Sequence, residues 1–364
     1  MDIVKEKAYK KILPYVKQIE KNTLKGPISL HLVITDHCVN KCEMCNHWKT
    51  SNKKILSLEA IQRIWMSMNF YDGESVCLTG GDPVLHPQFN EILNLNRNFD
   101  LGFITTGNYQ DNFDYNLLNN VAWVRYSVDS LDAYTYEQIR GRDNLYETII
   151  PNIKKSLKYN SKVGINFTLQ RLNSGDIKEI IDFSRSNDIY RLIIYPVHGE
   201  GDFSLTDDQI KEALYQLYRS VNKWSKIPEN NIEFLIESLE QSLKNKNDVR
   251  DELFNELPCM INKIHLAIGS DGRVFPCESC LDDTDSYGER RLWVDKFELQ
   301  DKYISVNKIE ILNDIGNINN ESLNSIWKSN LKMSFKCDKC KLCWSRYKPI
   351  IEAYHENKGK KVFI

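Results

Sequence analysis

Between residues 28 and 196, short apolar runs rich in β-branched and aromatic residues recur six times, each followed by a longer amphipathic stretch, and this alternation limits the fold more than any other feature. The runs span 28–35, 74–79, 101–106, 121–128, 162–169 and 191–196. Runs of this length and composition read as strands. Helical periodicity predicts helices over 57–70 behind Ser57 as N-cap, 86–96, 112–119, 132–159 with a break near Pro151, and 173–186 behind Asn173 as a cap. Strands and helices in this order imply right-handed βαβ units, with helices covering a parallel sheet. Six units are too few to close an eight-stranded barrel. The expected fold is therefore α/β, an open partial (β/α)6 barrel of TIM type or a doubly wound sheet, with ligands at the carboxyl ends of the strands.

The polar, glycine-rich segments fall where that rule places them. A cysteine-bearing loop follows the first strand, TGGDP the second, TTGN the third and SVDS the fourth; NFTLQRLN closes the fifth and YPVHGEG follows the sixth. The flanking chain divides into an N-terminal helix over 1–27, a charged helical bridge over 205–258, and a second domain over 259–364 with short strands, turns and clustered cysteines. A net charge of −2 gives no reason to expect a broad nucleic-acid surface. No apolar run approaches the roughly 20 residues of a membrane span, and the N-terminus lacks a signal-peptide core, so a cytoplasmic protein is expected.

Ten cysteines in an intracellular chain point to ligands or redox groups rather than disulfides. In CVNKCEMC, Cys38, Cys42 and Cys45 have the spacing C-x-x-x-C-x-x-C with no fourth cysteine nearby. Three thiolates can hold three irons of a cubane and leave the fourth iron open. Zinc is the alternative, since His37 or His47 offers a fourth ligand. Cys77, within an apolar strand, reads as a buried small hydrophobe.

The C-x-x-x-C-x-x-C motif after a first strand resembles the signature of the radical S-adenosylmethionine (SAM) superfamily. Relatives usually carry an aromatic residue before the third cysteine, near the adenine; here Met44 stands there, and a polarisable thioether packs similarly. Thr79-Gly80-Gly81-Asp82-Pro83 resembles the family's G-G-E-P motif, which receives the amino group of the methionine moiety. Two glycines let a backbone approach a ligand closely, and Asp82 offers an acceptor, although G-G-D-P is also a common turn. Ser127 and Asp129 match the family's ribose- and carboxylate-binding position, with Thr106 and Asn108 on the adjoining strand end. Arg140 lies where relatives place a basic residue for the SAM carboxylate. Read singly, these residues make an N-cap and a surface ion pair. Asn166 and Thr168, and beyond them His198 and Glu200, are weaker candidates for contact with adenosine or substrate.

The second cysteine group resembles SPASM and shorter twitch extensions. Cys259 is followed by Gly272-Arg-Val-Phe-Pro-Cys277 on an expected hairpin, then by the S-L-x-x-I-W pattern, then by Cys337, Cys340 and Cys343. The resemblance implies a small α+β domain with one auxiliary 4Fe-4S cluster on Cys259, Cys277, Cys337 and Cys340, with Cys343 the first reserve and Cys280 left over. A four-cysteine zinc site is the alternative.

The implied cofactors are SAM and two 4Fe-4S clusters, and the implied activity is reductive cleavage of SAM to a 5′-deoxyadenosyl radical that abstracts hydrogen from a substrate. A flavodoxin or ferredoxin is the expected reductant. The segment before the first strand is too short for a peptide-recognition domain, so a small metabolite is the expected substrate: a sugar, aminocyclitol or nucleoside undergoing dehydrogenation, decarboxylation or epimerisation. A ribosomal peptide is second, and a non-enzymatic zinc-binding protein a distant third.

Overall fold

The structure is a computed structural model and describes residues 13–45, 47–49, 51–197, 202–244, 263–277, 292–295, 309–312, 314–331 and 334–336. Its core is a run of six parallel strands: β1 (Ser29–Thr35), β2 (Ser75–Gly80), β3 (Asp100–Thr105), β4 (Trp123–Ser127), β5 (Val163–Leu169) and β6 (Arg191–Pro196). Each pairs in parallel with the next. All six lie within two residues of the spans expected from sequence. Side chains on one face, among them Leu30, Leu32, Val76, Leu78, Phe103, Val124 and Phe167, are at most 1% exposed beneath the helices. Alternate residues on the other face, including His31, Cys77, Thr79, Arg125, Ser127, Asn166 and Thr168, keep partial solvent access. Cys77 is thus half-buried beside His31 in the β1–β2 register, not a fully buried core residue.

The helices are α1 (Val16–Glu20), α2 (Leu58–Phe70), α3 (Phe89–Asn94), α4 (Ala133–Arg140), α5 (Tyr146–Ser156) and α6 (Ile177–Ser186). Ser57 caps α2 as expected, its side chain accepting from the Ala60 N–H at 3.2 Å. The expected helix over 112–119 is a 3-10 turn, Tyr115–Asn120, capped by Asp114. The break within 132–159 falls elsewhere than at Pro151. Gly141 ends α4 in the left-handed conformation (φ 61°), and Pro151 lies inside α5. Helix α6 begins at Ile177, four residues after the expected cap Asn173.

Beyond β6 come α7 (Asp207–Arg219), α8 (Val221–Trp224), the short strand β7 (Glu229–Asn230) and α9 (Ile232–Lys244), so the helical bridge also adds a strand beside β6. Next follow β8 (His265–Ile268), β9 (Arg273–Phe275), β10 (Leu292–Asp295), β11 (Ile309–Leu312), β12 (Gly316–Asn317), α10 (Leu323–Leu331) and β13 (Ser334–Lys336). Strand β8 pairs in parallel with the free edge of β1, and β9 and β12 continue the same sheet, giving the order β12-β9-β8-β1-β2-β3-β4-β5-β6-β7. Strands β11, β10 and β13 form a separate antiparallel sheet. No described helix is long and apolar enough to cross a membrane.

Candidate radical-generating site

The loop leaving β1 folds back on itself. The Asp36 N–H donates to the Lys54 carbonyl at 2.9 Å and the Leu56 N–H to the Ile34 carbonyl at 2.9 Å, closing a loop that carries Cys38, Cys42 and Cys45. The Trp48 indole N–H donates to the Cys42 carbonyl at 2.8 Å. From outside, the Lys41 N–H donates to the Arg140 carbonyl at 2.9 Å and the Asp82 N–H to the His37 carbonyl at 2.7 Å. The C-terminal ends of β1 and β2 and the end of α4 therefore fix this loop together.

Gly80 and Gly81 are needed for that closure. Gly80 has φ 153°, and a Cβ there would lie 2.2 Å from the Thr35 carbonyl oxygen; one at Gly81 would lie 2.3 Å from that of His37. The close approach that two glycines allow is to the chain's own cysteine loop. The Asp82 carboxylate is fully buried and accepts from the Thr105 hydroxyl at 2.7 Å, the Thr106 N–H at 3.2 Å and the Thr106 hydroxyl. Burial pushes its pKa up against those hydrogen bonds. Asp82 thus ties the loop after β2 to the end of β3.

A second buried carboxylate does the same for the fourth and fifth strands. Asp129 is 0% exposed, accepts from the Thr168 N–H at 2.8 Å, and pairs with Arg140 at 2.7 Å. Asn173, read from sequence as a helix cap, donates instead to the Asp129 and Thr168 carbonyls at 2.7 and 2.9 Å. Arg140 is 6% exposed, not on the surface, and its Nη1 lies 3.9 Å from Cys42 Sγ. Burial opposes its charge, but Asp129 and Cys42 outweigh burial and raise its pKa. Ser127 and Asn166 are register partners on the half-open face, where Asn166 Oδ1 is buried without a hydrogen-bond partner.

The thiols carry a matching signature. Burial, then the Asp82 charge, pushes Cys38 up to about 12; burial raises Cys42 while Arg140 opposes it. Such thiols stay protonated at neutral pH unless a cation compensates their charge. Asn40, inside the same loop and not singled out from sequence, is 2% exposed with neither amide atom hydrogen-bonded. A buried, unsatisfied amide of this kind calls for a further group to satisfy it. One buried and two partly buried thiols, a cation beside the buried one and an orphaned amide fit an iron–sulfur cluster. Among the described residues no three His, Cys, Asp or Glu side chains are gathered as a metal site. This holds alike for Cys38, Cys42 and Cys45 and for a zinc set completed by His37 or His47.

Met44 and Asn108 are half-exposed near this rim. Of the auxiliary candidates only Cys277 is described, partly buried after β9; Cys259, Cys280, Cys337, Cys340 and Cys343 lie outside the described residues, as do His198 and Glu200. No disulfide joins the described cysteines.

Comparison with known proteins identifies two segments of the chain. Residues 32–184 match the model of the Radical SAM superfamily, and residues 259–345 that of the SPASM iron–sulfur cluster-binding domain. GTP 3′,8-cyclase of Psychromonas ingrahamii is 30% identical over 208 residues, covering 51% of this chain and 60% of that protein. The Synechocystis enzyme of the same name is 29% identical over 164 residues, covering 43% and 50%. The chain thus spans 50 to 60% of the length of these curated relatives. Among solved structures, anSMEcpe with bound AdoMet superposes with a TM-score of 0.57 at 18% identity, over 89% of this chain and 88% of that one. Streptococcus suis SuiB bound to the precursor peptide SuiA gives 0.55 at 15% identity, over 76% and 65%. At these identities the likeness is one of fold.

Proposed function

We propose that this chain, which carries a Radical SAM domain over residues 32–184 and a SPASM iron–sulfur cluster-binding domain over 259–345, cleaves SAM reductively and abstracts hydrogen from a small metabolite. The observation that carries this reading is the buried Arg140 guanidinium, 2.7 Å from Asp129 and 3.9 Å from Cys42 Sγ, on the loop of three thiols. A 4Fe-4S cluster held by Cys38, Cys42 and Cys45 would supply, once reduced by a one-electron donor protein, the electron that cleaves SAM to methionine and a 5′-deoxyadenosyl radical.

The chain's own part is to bind and orient. Cys38, Cys42 and Cys45 hold the cluster, and Arg140 keeps a positive charge beside Cys42 to receive the SAM carboxylate. The backbone from Gly80 to Asp82 accepts the amino group, with the Asp82 carboxylate already committed to Thr105 and Thr106. Ser127 and Asn166 present polar atoms to the ribose, with Thr168 beside them, and Met44 and Asn108 flank the adenine. Cys277 holds an auxiliary cluster together with Cys259, Cys337 and Cys340, or with Cys343 in place of one of these.

A small-metabolite substrate is supported by the GTP 3′,8-cyclases among the relatives, named for chemistry on a nucleotide. A peptide substrate is the second reading, favoured by the fold shared with SuiB, solved with a precursor peptide. The half-open strand face, with Arg125, Ser127, Asn166 and Thr168, suits a polar substrate of either kind. A cytoplasmic setting, with a flavodoxin or ferredoxin as reductant, fits cysteines that form no disulfides among the described residues.

Anaerobic reconstitution followed by iron and sulfide analysis, electron paramagnetic resonance and an assay for 5′-deoxyadenosine tests the proposal. About eight irons in the wild type should fall to about four in a Cys38/Cys42/Cys45→Ala variant, with 5′-deoxyadenosine made only by the wild type. Zinc in both proteins and no SAM cleavage would overturn the reading in favour of a structural zinc protein.

A further inference from the structure

Asp36 has no place among the residues assigned above, yet it joins three segments of chain. It leaves β1 directly ahead of His37 and Cys38 and is 7% exposed. One carboxylate oxygen, Oδ2, accepts from the Lys54 N–H at 3.0 Å and, with the backbone bond to the Lys54 carbonyl, closes the mouth of the cysteine loop. The other, Oδ1, accepts from the Ser270 hydroxyl at 2.7 Å, and Ser270 is also 7% exposed.

Ser270 belongs to the turn between β8 and β9, from which the chain runs through β9 to Cys277. Parallel pairing of β8 with β1 brings that turn to the sheet end where the cysteine loop begins. The turn is itself held. Gly272 has φ 84° and a Cβ there would lie 2.4 Å from Asn319 Nδ2, while Asn319 and Asn317 donate to the Asp271 carbonyl at 2.9 and 3.3 Å. The carboxylate, with both oxygens engaged, links the clamped turn to the closed loop. Hydrogen bonds to charged groups are stronger than neutral ones, and most so where water is excluded.

We propose that Asp36 is a positioning residue that couples the hairpin carrying Cys277 to the loop carrying Cys38, Cys42 and Cys45, so that the auxiliary segment sets the geometry of the SAM-binding cluster. The proposal rests on the reading of those three cysteines as cluster ligands. Ser270 supplies the contact and Asp36 relays it; neither touches the reacting atoms.

The test uses the reconstituted full chain as wild type, Ser270→Ala, Ser270→Thr and Asp36→Asn. The readouts are iron content, the resonance of the reduced first cluster with and without SAM, and the SAM dissociation constant by calorimetry. The expected result for Ser270→Ala is wild-type iron, an altered SAM-induced change in the first-cluster signal, and SAM binding weakened by about tenfold. Ser270→Thr, which keeps the hydroxyl, should restore both, and Asp36→Asn, which keeps one carbonyl acceptor, should lie between. Wild-type signals and SAM affinity in both Ser270→Ala and Asp36→Asn would overturn the coupling. A wild type that assembles no SAM-responsive cluster would instead count against the proposed function.

Discussion

Arg140 carries two loads that substitution can separate. It compensates the Asp129 carboxylate in a site with almost no solvent, and it places positive charge beside Cys42. Removing one member of a buried ion pair leaves the other uncompensated, at a cost of about 3–5 kcal/mol, whereas replacing both with apolar side chains of similar volume is near neutral. Arg140→Ala is therefore expected to lower the unfolding free energy of the cluster-free protein by ~3–5 kcal/mol. Asp129→Leu with Arg140→Met should recover most of that loss in denaturant titration yet still fail to bind SAM. Recovery of both stability and SAM binding would show that Arg140 serves only Asp129. Little of this was legible in EQIRGR, because sequence places a basic residue on a helix end without saying which way the end faces. Asp36 and Asn40 escaped for a related reason: the side-chain partners of Asp36 are 18 and 234 residues away, and the Asn40 amide has no hydrogen-bond partner among the described residues.

The strands were legible because short runs rich in β-branched and aromatic residues suit strands, while burial itself alternates along β2 and β4, one face lying under the helices and the other half-open. Helix ends were less legible. Pro151 looked like the breaker between 132 and 159, but the break is at Gly141, which suits the left-handed conformation and sits against the cysteine loop. A Cβ at Gly141 would lie 2.6 Å from the Lys41 carbonyl oxygen, beside the Lys41–Arg140 backbone bond. Gly141→Ala thus combines a positive-φ penalty of about 1 kcal/mol with displacement of the loop. The expected outcome is a fold close to wild type by circular dichroism and selective loss of iron from the first cluster. Full iron content with an unchanged first-cluster resonance would show that the loop tolerates the shift.

For the whole molecule, the division into a barrel and a C-terminal domain describes sequence better than it describes packing. The match to two family models falls at residues 32–184 and 259–345, but β8 and β9 of the second segment lie on the sheet of the first. Ser29 Oγ meets His265 Nδ1 at 2.8 Å across that seam. Farther along, Trp327 on α10 is 0% exposed, and its indole N–H donates to the Leu24 carbonyl at 3.0 Å, ahead of β1. Loss of a buried Trp side chain alone costs ~3–5 kcal/mol, a large share of the stability of an ordinary domain. Removing the chain beyond residue 262 would also strip β1 of β8, one of its two parallel partners, and leave an unpaired edge at Leu30 and Leu32. A fragment of residues 1–262 is accordingly expected to aggregate on size-exclusion chromatography and to retain no SAM-binding cluster. Trp327→Ala in the full chain should keep the wild-type elution volume with a lowered unfolding midpoint. A monomeric fragment holding about four irons would show instead that the barrel stands alone and that the C-terminal strands only extend it.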